Sequence, residues 1–301
     1  MTAIADADFE AERPRLFGVA YRMTGSASDA DDIVQEAWLR AQRADGVANP
    51  AAWLTTVVTR LSLDRLRSAA RRRERYVGPW LPEPMLTATV AGAGAEADPA
   101  ERVAHDETLT LSFLHVLDRL EPVERAVFLL REVFAVDYDE VAEVVGRSPS
   151  TCRQIARRAR ERVRADRPRF RTEPDRQAEL LDGFLLALLS GEPSALIGLL
   201  AEDVVLVSDG GATRRAARNP VVGPHRVSRF LTGLARKYGE GARLEVGEVN
   251  ASPAVFISDA AEEVALVVAF EFDRELLRRI EIVLAPDKLG PLRAELAGRS
   301  R

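Results

Sequence analysis

Residues 137–164 read DYDEVAEVVGRSPSTCRQIARRARERVR: a helix, a four-residue turn, and a second helix whose outer side is arginine. In the first helix Val141, Ala142, Val144 and Val145 form the apolar face, and Gly146 supplies the left-handed residue that ends it. Ser148 is placed to cap the next helix. Pro149 follows at the first helical position, where a missing N–H costs nothing. Cys152, Ile155, Ala156, Ala159 and Val163 recur at helical spacing and are predicted to face inward. Arg153, Gln154, Arg157, Arg158 and Arg160 then point outward as a cationic stripe about 15 Å long. A helix-turn-helix offers such a second helix to the major groove, with arginines for phosphates and guanine edges. The alternative is a solvated amphipathic helix in an arginine-rich chain.

The rest of the composition fits a nucleic-acid partner once charge is read locally. The chain has 301 residues, 47% hydrophobic and 30% charged, which suits two or three soluble domains. Its net charge is −5. Yet residues 147–171 carry ten arginines against Glu161 and Asp166, and residues 57–75 carry seven against Asp64 and Glu74. Residues 172–301 hold sixteen basic and twenty acidic side chains, so the excess acid lies mostly there. Screening keeps charge local, so basic footprints on a near-neutral chain still attract phosphate. Cys152 is the single cysteine and the three histidines are scattered, so neither a disulfide nor a metal site is expected, and no cofactor. The start is acidic without a signal-like apolar run, and no stretch reaches membrane-spanning length. A cytoplasmic protein with no membrane partner is expected.

Working outward, residues 1–75 read as helices. Ser26 or Ser28 can cap a helix with Asp29, Asp31 and Asp32 in its first turn. Ile33, Val34, Ala37 and Trp38 make its apolar face, leaving Asp32, Gln35 and Glu36 exposed. A further helix follows Asn49-Pro50 through Trp53, Leu54, Val57, Val58, Leu61 and Leu66. Residues 76–99 are rich in proline, glycine and small residues, so an extended tether is predicted. Helices resume from residue 100 to about 163, and a second tether spans 165–175. Beyond it the pattern predicts helices at 176–189 and 194–200 and strands at 204–207, 242–249, 254–258, 264–272 and 278–284. A helix at 224–238 interrupts the strands, giving an α+β domain with a mostly antiparallel sheet.

These motifs carry a resemblance. Asp29-Ala30-Asp31-Asp32-Ile33-Val34-Gln35-Glu36-Ala37-Trp38-Leu39-Arg40 resembles the signature of sigma-seventy-type RNA polymerase sigma factors of the extracytoplasmic-function group. Asn49-Pro50-Ala51-Ala52-Trp53-Leu54, with Asp64-Arg65-Leu66-Arg67, resembles that group's promoter-melting helix. Trp80-Leu81-Pro82-Glu83-Pro84, Asp209-Gly210-Gly211 and Pro286-Asp287-Lys288-Leu289 resemble the subgroup with a fused SnoaL-like domain. Two of these motifs depart from it: Ala212 and Thr213 stand where glycine and lysine are usual, and Ala285 where asparagine is.

The resemblance implies a multidomain chain: two all-α sigma domains, the second with the helix-turn-helix, and a C-terminal α+β SnoaL-like cone. The implied boundaries are region 2 over residues 1–75, a linker over 76–100, region 4 over 101–171 and the SnoaL-like domain over 172–301. It implies that Asp29, Asp32, Gln35 and Glu36 bind the clamp helices of the core polymerase largest subunit. Arg60, Arg65, Arg67 and Trp53 would serve the minus-ten element, with Thr55, Thr56, Thr59 and Ser62 adding small hydrogen-bonding groups. Trp53, in helical register with Leu54 and Val57, also suits a core position. Ser150, Thr151, Arg153, Gln154, Arg157 and Arg158 would address the minus-thirty-five element. The motifs at 80–84, 209–211 and 286–289 would carry regulation in cis, without an anti-sigma protein. A SnoaL-like fold can also enclose a pocket for a small ligand of unknown identity.

Two other readings compete. A one-component regulator would join a sensor to the helix-turn-helix, but has no use for the 29–67 block. An enzymatic C-terminal half would need Asp203, Asp209 and His225 to converge, whereas Asp209-Gly210-Gly211 reads more simply as a turn and His225 as a helix-start residue. No catalytic residue is expected.

Overall fold

The computed structural model describes residues 4–73, 76, 78–87, 108–166, 172–238, 241–259 and 261–299. They form two compact units. One holds the described residues up to 73 with 108–109 and 113–166; the other holds 76, 78–87, 110–112 and the described residues from 172 onward.

Among its described residues the first unit is helical, with no strand. It opens with α1 (Asp6–Thr24), α2 (Ala27–Ala41) and α3 (Pro50–Arg73). Gly25, at φ +68°, ends α1, and the next helix is capped by Ser26, whose Oγ accepts from the Asp29 N–H at 3.1 Å. Ile33, Val34 and Ala37 are buried as the periodicity requires, and Trp38 lies 5.0 Å from the Phe9 ring. Among its described residues there follow α5 (Pro122–Phe128), which runs on into a π-helical turn at Leu129–Val133, then α6 (Tyr138–Val145) and α7 (Pro149–Asp166). A preceding helix, α4 (Leu111–Leu117), begins in the other unit and continues into this one.

Two nearly enclosed arginines tie these helices together. Arg125 on α5 donates to the Met23 carbonyl at the end of α1 at 2.6 Å and to Asp118 at 2.9 Å. Arg22 donates to Thr108 at 3.1 Å and lies over the Phe134 ring at 5.6 Å. A buried cation is tolerable only with such partners.

The second unit is a six-stranded sheet covered on both faces. Its strands are β1 (Leu200–Asp209), β2 (Val221–Val222), β3 (Arg243–Val249), β4 (Ser252–Ser258), β5 (Val264–Asp273) and β6 (Leu276–Val283), in the order β2-β1-β6-β5-β4-β3. Every pairing is antiparallel except β1 with β6. Alternation sorts the side chains. Leu206, Val268, Phe270 and Ile282 meet α8 (Pro174–Leu189), α9 (Pro193–Ile197) and α10 (Pro224–Tyr238), with Phe184 of α8 5.5 Å from Phe270. Val207, Val267, Ala269 and Val283 face the other way, onto Leu81, Leu86, Leu111 and the C-terminal helix α11 (Pro286–Arg299).

Three expectations change here. The predicted tether is not a free spacer where it is described: Leu81 to Leu86 are buried against the sheet, because two leucines among prolines gain more from burial than from solvent. Residues 88–99 of that tether and 167–171 of the second lie outside the described residues. The predicted helix at 194–200 stops at Ile197, and Leu200 already belongs to β1. Helix α11 was not foreseen, since Pro286 and Pro291 mask its periodicity.

Candidate nucleic-acid interface and linker clasp

The helix-turn-helix forms as its punctuation dictates. Gly146 adopts φ +66°, and Ser148 Oγ accepts from the Thr151 N–H at 3.2 Å to cap α7. Cys152, Ile155, Ala156, Ala159 and Val163 are all buried. Burial pushes the Cys152 thiol up, so this side chain acts as core filler. Arg153, Gln154, Arg157 and Arg158 are exposed and together line a shallow concavity, with Ser150 exposed and Thr151 half-buried at its start. Arg153 rests over the Tyr138 ring at 5.3 Å, and Arg157 lies 3.7 Å from Glu161. Arg160 leaves the stripe. Both ends of its guanidinium are held by Glu132, at 2.6 and 3.0 Å, and those hydrogen bonds raise its pKa further.

Along α3 the expected minus-ten cations are all engaged. Arg60 donates to the Glu143 and Val144 carbonyls at the C-terminal end of α6, at 2.9 and 3.3 Å, satisfying groups that the helix itself leaves open. Arg65 bridges Asp29 at 3.4 Å and Asp32 at 2.8 Å, so an expected DNA cation and two expected polymerase-binding acids neutralise one another. Arg67 pairs with Asp64 at 3.0 Å on the surface. Trp53 is half-buried. The small polar groups are corrected: Thr55, Thr59 and Ser62 are buried, with Ser62 bonded back to the Val58 carbonyl, and only Thr56 is partly open. On α2, Gln35 and Asp32 are exposed, and Glu36 holds Arg40 at 2.9 Å.

In the second unit three distant motifs converge on one carboxylate. Asp209, the last residue of β1, has a fully enclosed side chain. It accepts from the Tyr76 hydroxyl (2.5 Å), the Leu81 N–H (2.8 Å), the Gly211 N–H (2.9 Å) and Lys288 Nζ (2.6 Å). Lys288 also donates to the Leu81 carbonyl at 2.5 Å, and its ammonium lies 4.1 Å from the Trp80 ring centre and 5.0 Å from that of Tyr76. A buried ion pair needs this density of donors and π faces to offset desolvation. Backbone pairing continues along the segment. Met85 exchanges two hydrogen bonds with Asn250, at 2.9 and 3.0 Å; Leu86 bridges Val249 and donates to Glu295 at 3.1 Å; Thr87 accepts from the Ala251 N–H. Residues 80–87 are thus held like a bound peptide, with Leu81 and Leu86 as anchors.

Comparison with known proteins decides the family. Residues 9–72 match Sigma-70 region 2 and residues 110–163 match Sigma-70, region 4. The extracytoplasmic-function (ECF) RNA polymerase sigma factor SigJ of Mycobacterium tuberculosis is 44% identical over 236 residues, 78% of this chain and 74% of that protein. A probable ECF sigma factor of the same species, SigI, is 34% identical over 299 residues, 97% of each. The crystal structure of Mycobacterium tuberculosis SigJ matches with a TM-score of 0.74 at 34% identity, over 95% of this chain and 99% of that one. The chain belongs to the extracytoplasmic-function sigma factors of RNA polymerase.

The sigma factor therefore acts with core polymerase and promoter DNA in transcription initiation, and its family is not one of enzymes. Its second unit is the SnoaL-like domain. The three polar side chains weighed for catalysis do not share an environment there. Asp203 is exposed and pairs with Arg278 at 3.5 Å, His225 is exposed, and Asp209 is enclosed by the linker. Among the described residues no helix is long and apolar enough to cross a membrane. Sequence reasoning missed Tyr76, Asn250 and Glu295 as linker-holding residues of the sigma factor. Asn250-Ala251 had a readable signal, a two-residue turn between alternating strands, with φ +52° and +54°.

Proposed function

We propose that this sigma factor reads the minus-thirty-five element with Arg153, Gln154, Arg157 and Arg158, backed by Ser150 and Thr151 at the DNA backbone. Arg60, Arg65, Arg67 and Trp53 serve the minus-ten element, and Asp29, Asp32, Gln35 and Glu36 meet the polymerase clamp helices in the cytoplasm. The C-terminal domain modulates this activity in cis through the linker, so no anti-sigma protein is required. The observation that carries the reading is the clasp of Asp209 and Lys288 on Leu81: the segment leading out of region 2 is a ligand of the SnoaL-like domain. Pairing of Arg65 with Asp29 and Asp32, and of Arg60 with the end of α6, supports a resting state whose DNA cations are occupied.

The test is transcription in vitro with core polymerase and a library of promoter templates, comparing the native chain with Lys288→Met. Initiation by the native chain, with a changed rate or promoter preference in the variant, is the expected result. Initiation identical in the two would remove the cis-regulatory reading. No initiation by either would remove the promoter assignments.

A further inference from the structure

The C-terminal domain is acidic in sum, but its charge is divided. Between residues 210 and 239 there are seven basic residues, Arg214, Arg215, Arg218, Arg226, Arg229, Arg236 and Lys237, and no aspartate or glutamate. The remaining nine basic residues of the domain share it with all twenty acids. All seven are exposed. Elsewhere in this sigma factor arginines are heavily paired, as with Arg65, Arg160 and Arg176. By contrast, Arg214, Arg215, Arg218, Arg226, Arg229 and Arg236 make no side-chain ion pair or hydrogen bond among the described residues. The acids on adjoining β1 do not meet them: Asp203 faces Arg278 and Glu202 is exposed.

The fold gathers these arginines at one edge. On α10, Arg226, Arg229 and Arg236 fall on the face opposite Val227, Ser228, Leu231 and Thr232, which are buried. Ten residues separate the first from the last, a stripe of about 15 Å. Arg214, Arg215 and Arg218 come from the segment that enters β2, the edge strand immediately before α10. That segment is fixed, with the Arg214 N–H on the Gly210 carbonyl at 3.0 Å and the Ala217 N–H on Ser208 Oγ at 2.9 Å. Close backbone approach explains why it starts with glycine: a Cβ on Gly210 would lie 2.2 Å from the Arg214 carbonyl oxygen.

We infer that this edge of the SnoaL-like domain is a third DNA-contacting surface, beside those on α3 and α7, which takes the phosphate backbone of promoter duplex. Unpaired guanidinium groups on a rigid helix and an anchored segment fit a polyanion, and duplex DNA is the polyanion with which this family works. A 15 Å stripe spans about four phosphates of one strand at 3.4 Å each. The contact is sequence-independent, since charge without a base-reading helix positions but does not specify.

The experiment uses holoenzyme assembled from core polymerase and the full chain, with affinity for promoter duplex measured between 50 and 200 mM salt. The variant replaces Arg226, Arg229 and Arg236 by glutamine. Each lost phosphate contact lowers the salt slope by about 0.9, so three make the native holoenzyme lose about 40-fold more affinity than the variant over that range. Lysine at the same three positions keeps the charge and is expected to restore the native slope, which separates charge from any folding effect. Equal slopes for native and glutamine holoenzymes would overturn the inference. Weakened assembly with core polymerase at an unchanged DNA slope would overturn it too, assigning the patch to an acidic protein surface.

Discussion

Asp209 and Lys288 are separated by 79 positions in sequence and by 2.6 Å in space, and the chain caught between them is the linker at Leu81. Both side chains are almost wholly enclosed, so neither charge has water to fall back on. Removing one partner of such a pair strands the other, at a cost of about 3–5 kcal/mol. Lys288→Met and Asp209→Asn are each expected to lower the urea-unfolding free energy of the C-terminal unit by about that amount. The double variant should cost clearly less than the two single losses together. Strict additivity would mean the two groups are not coupled.

Gly210 and Gly211 sharpen the account of the same corner. Gly211 has φ +63°, and a Cβ there would meet the Ala285 methyl at 3.1 Å; on Gly210 it would strike backbone at 2.2 Å. The small Ala285 therefore makes room for this turn. Gly210→Ala is expected to cost more than Gly211→Ala, because a carbonyl oxygen cannot step aside as a methyl can. Gly241→Ala, at φ +75° with open space around it, is the control for backbone strain alone, at about 1 kcal/mol. Thermal melting of the three variants ranks them; a Gly210→Ala chain as stable as Gly241→Ala would refute the ordering.

Much of this was legible in the chain itself. Local punctuation placed the helix-turn-helix: Gly146, Ser148 and Pro149 act within a few residues, so their reading survives any tertiary context. Runs rich in β-prone residues placed five of the six strands, and the two-residue β2 was too short to read. The clasp was legible only as motifs, because hydrogen bonds from Tyr76, Asn250 and Glu295 join positions more than a hundred residues apart. Arg160 shows the same limit, as helical spacing put it on the DNA face while Glu132, 28 residues away, draws it aside.

That diversion is testable against its neighbours. Arg157 and Arg158 stand exposed on α7, whereas Arg160 is held by Glu132. Arg157→Gln or Arg158→Gln is expected to weaken holoenzyme binding by about 1–3 kcal/mol on promoters carrying the base it reads, and less on others. Arg160→Gln should change promoter affinity little and instead lower stability by up to about 1 kcal/mol, as its ion pair is partly exposed. Measuring all three on matched and mutated minus-thirty-five sequences tests this; a promoter-specific loss for Arg160→Gln would return it to the groove.

The last prediction concerns protons. Glu281 on β6 lies beside a cavity of about 10 Å³ shared with Ser112, Ser252, Glu271 and Arg279, on the face that carries the linker. Burial pushes its carboxyl up to about 7, against the pull of Arg279, whose Nε donates to it at 3.0 Å; Glu271 adds repulsion. Glu271 is itself raised by burial, with the Ser112 hydroxyl, Arg279 and Arg278 opposing the rise and Asp273 adding to it. A carboxyl raised in the folded state binds protons more tightly there than in the unfolded chain. Its stabilisation is complete below the unfolded value near 4.5 and is lost as pH rises through about 7. A gap of that width is worth about 3 kcal/mol at most. The C-terminal unit should therefore lose stability between pH 5 and pH 8 by an amount that Glu281→Gln largely abolishes. At pH 8 the glutamine chain, free of the buried charge, should be at least as stable as the native one. Parallel pH–stability curves for the two chains would show that Glu281 does not titrate in this window.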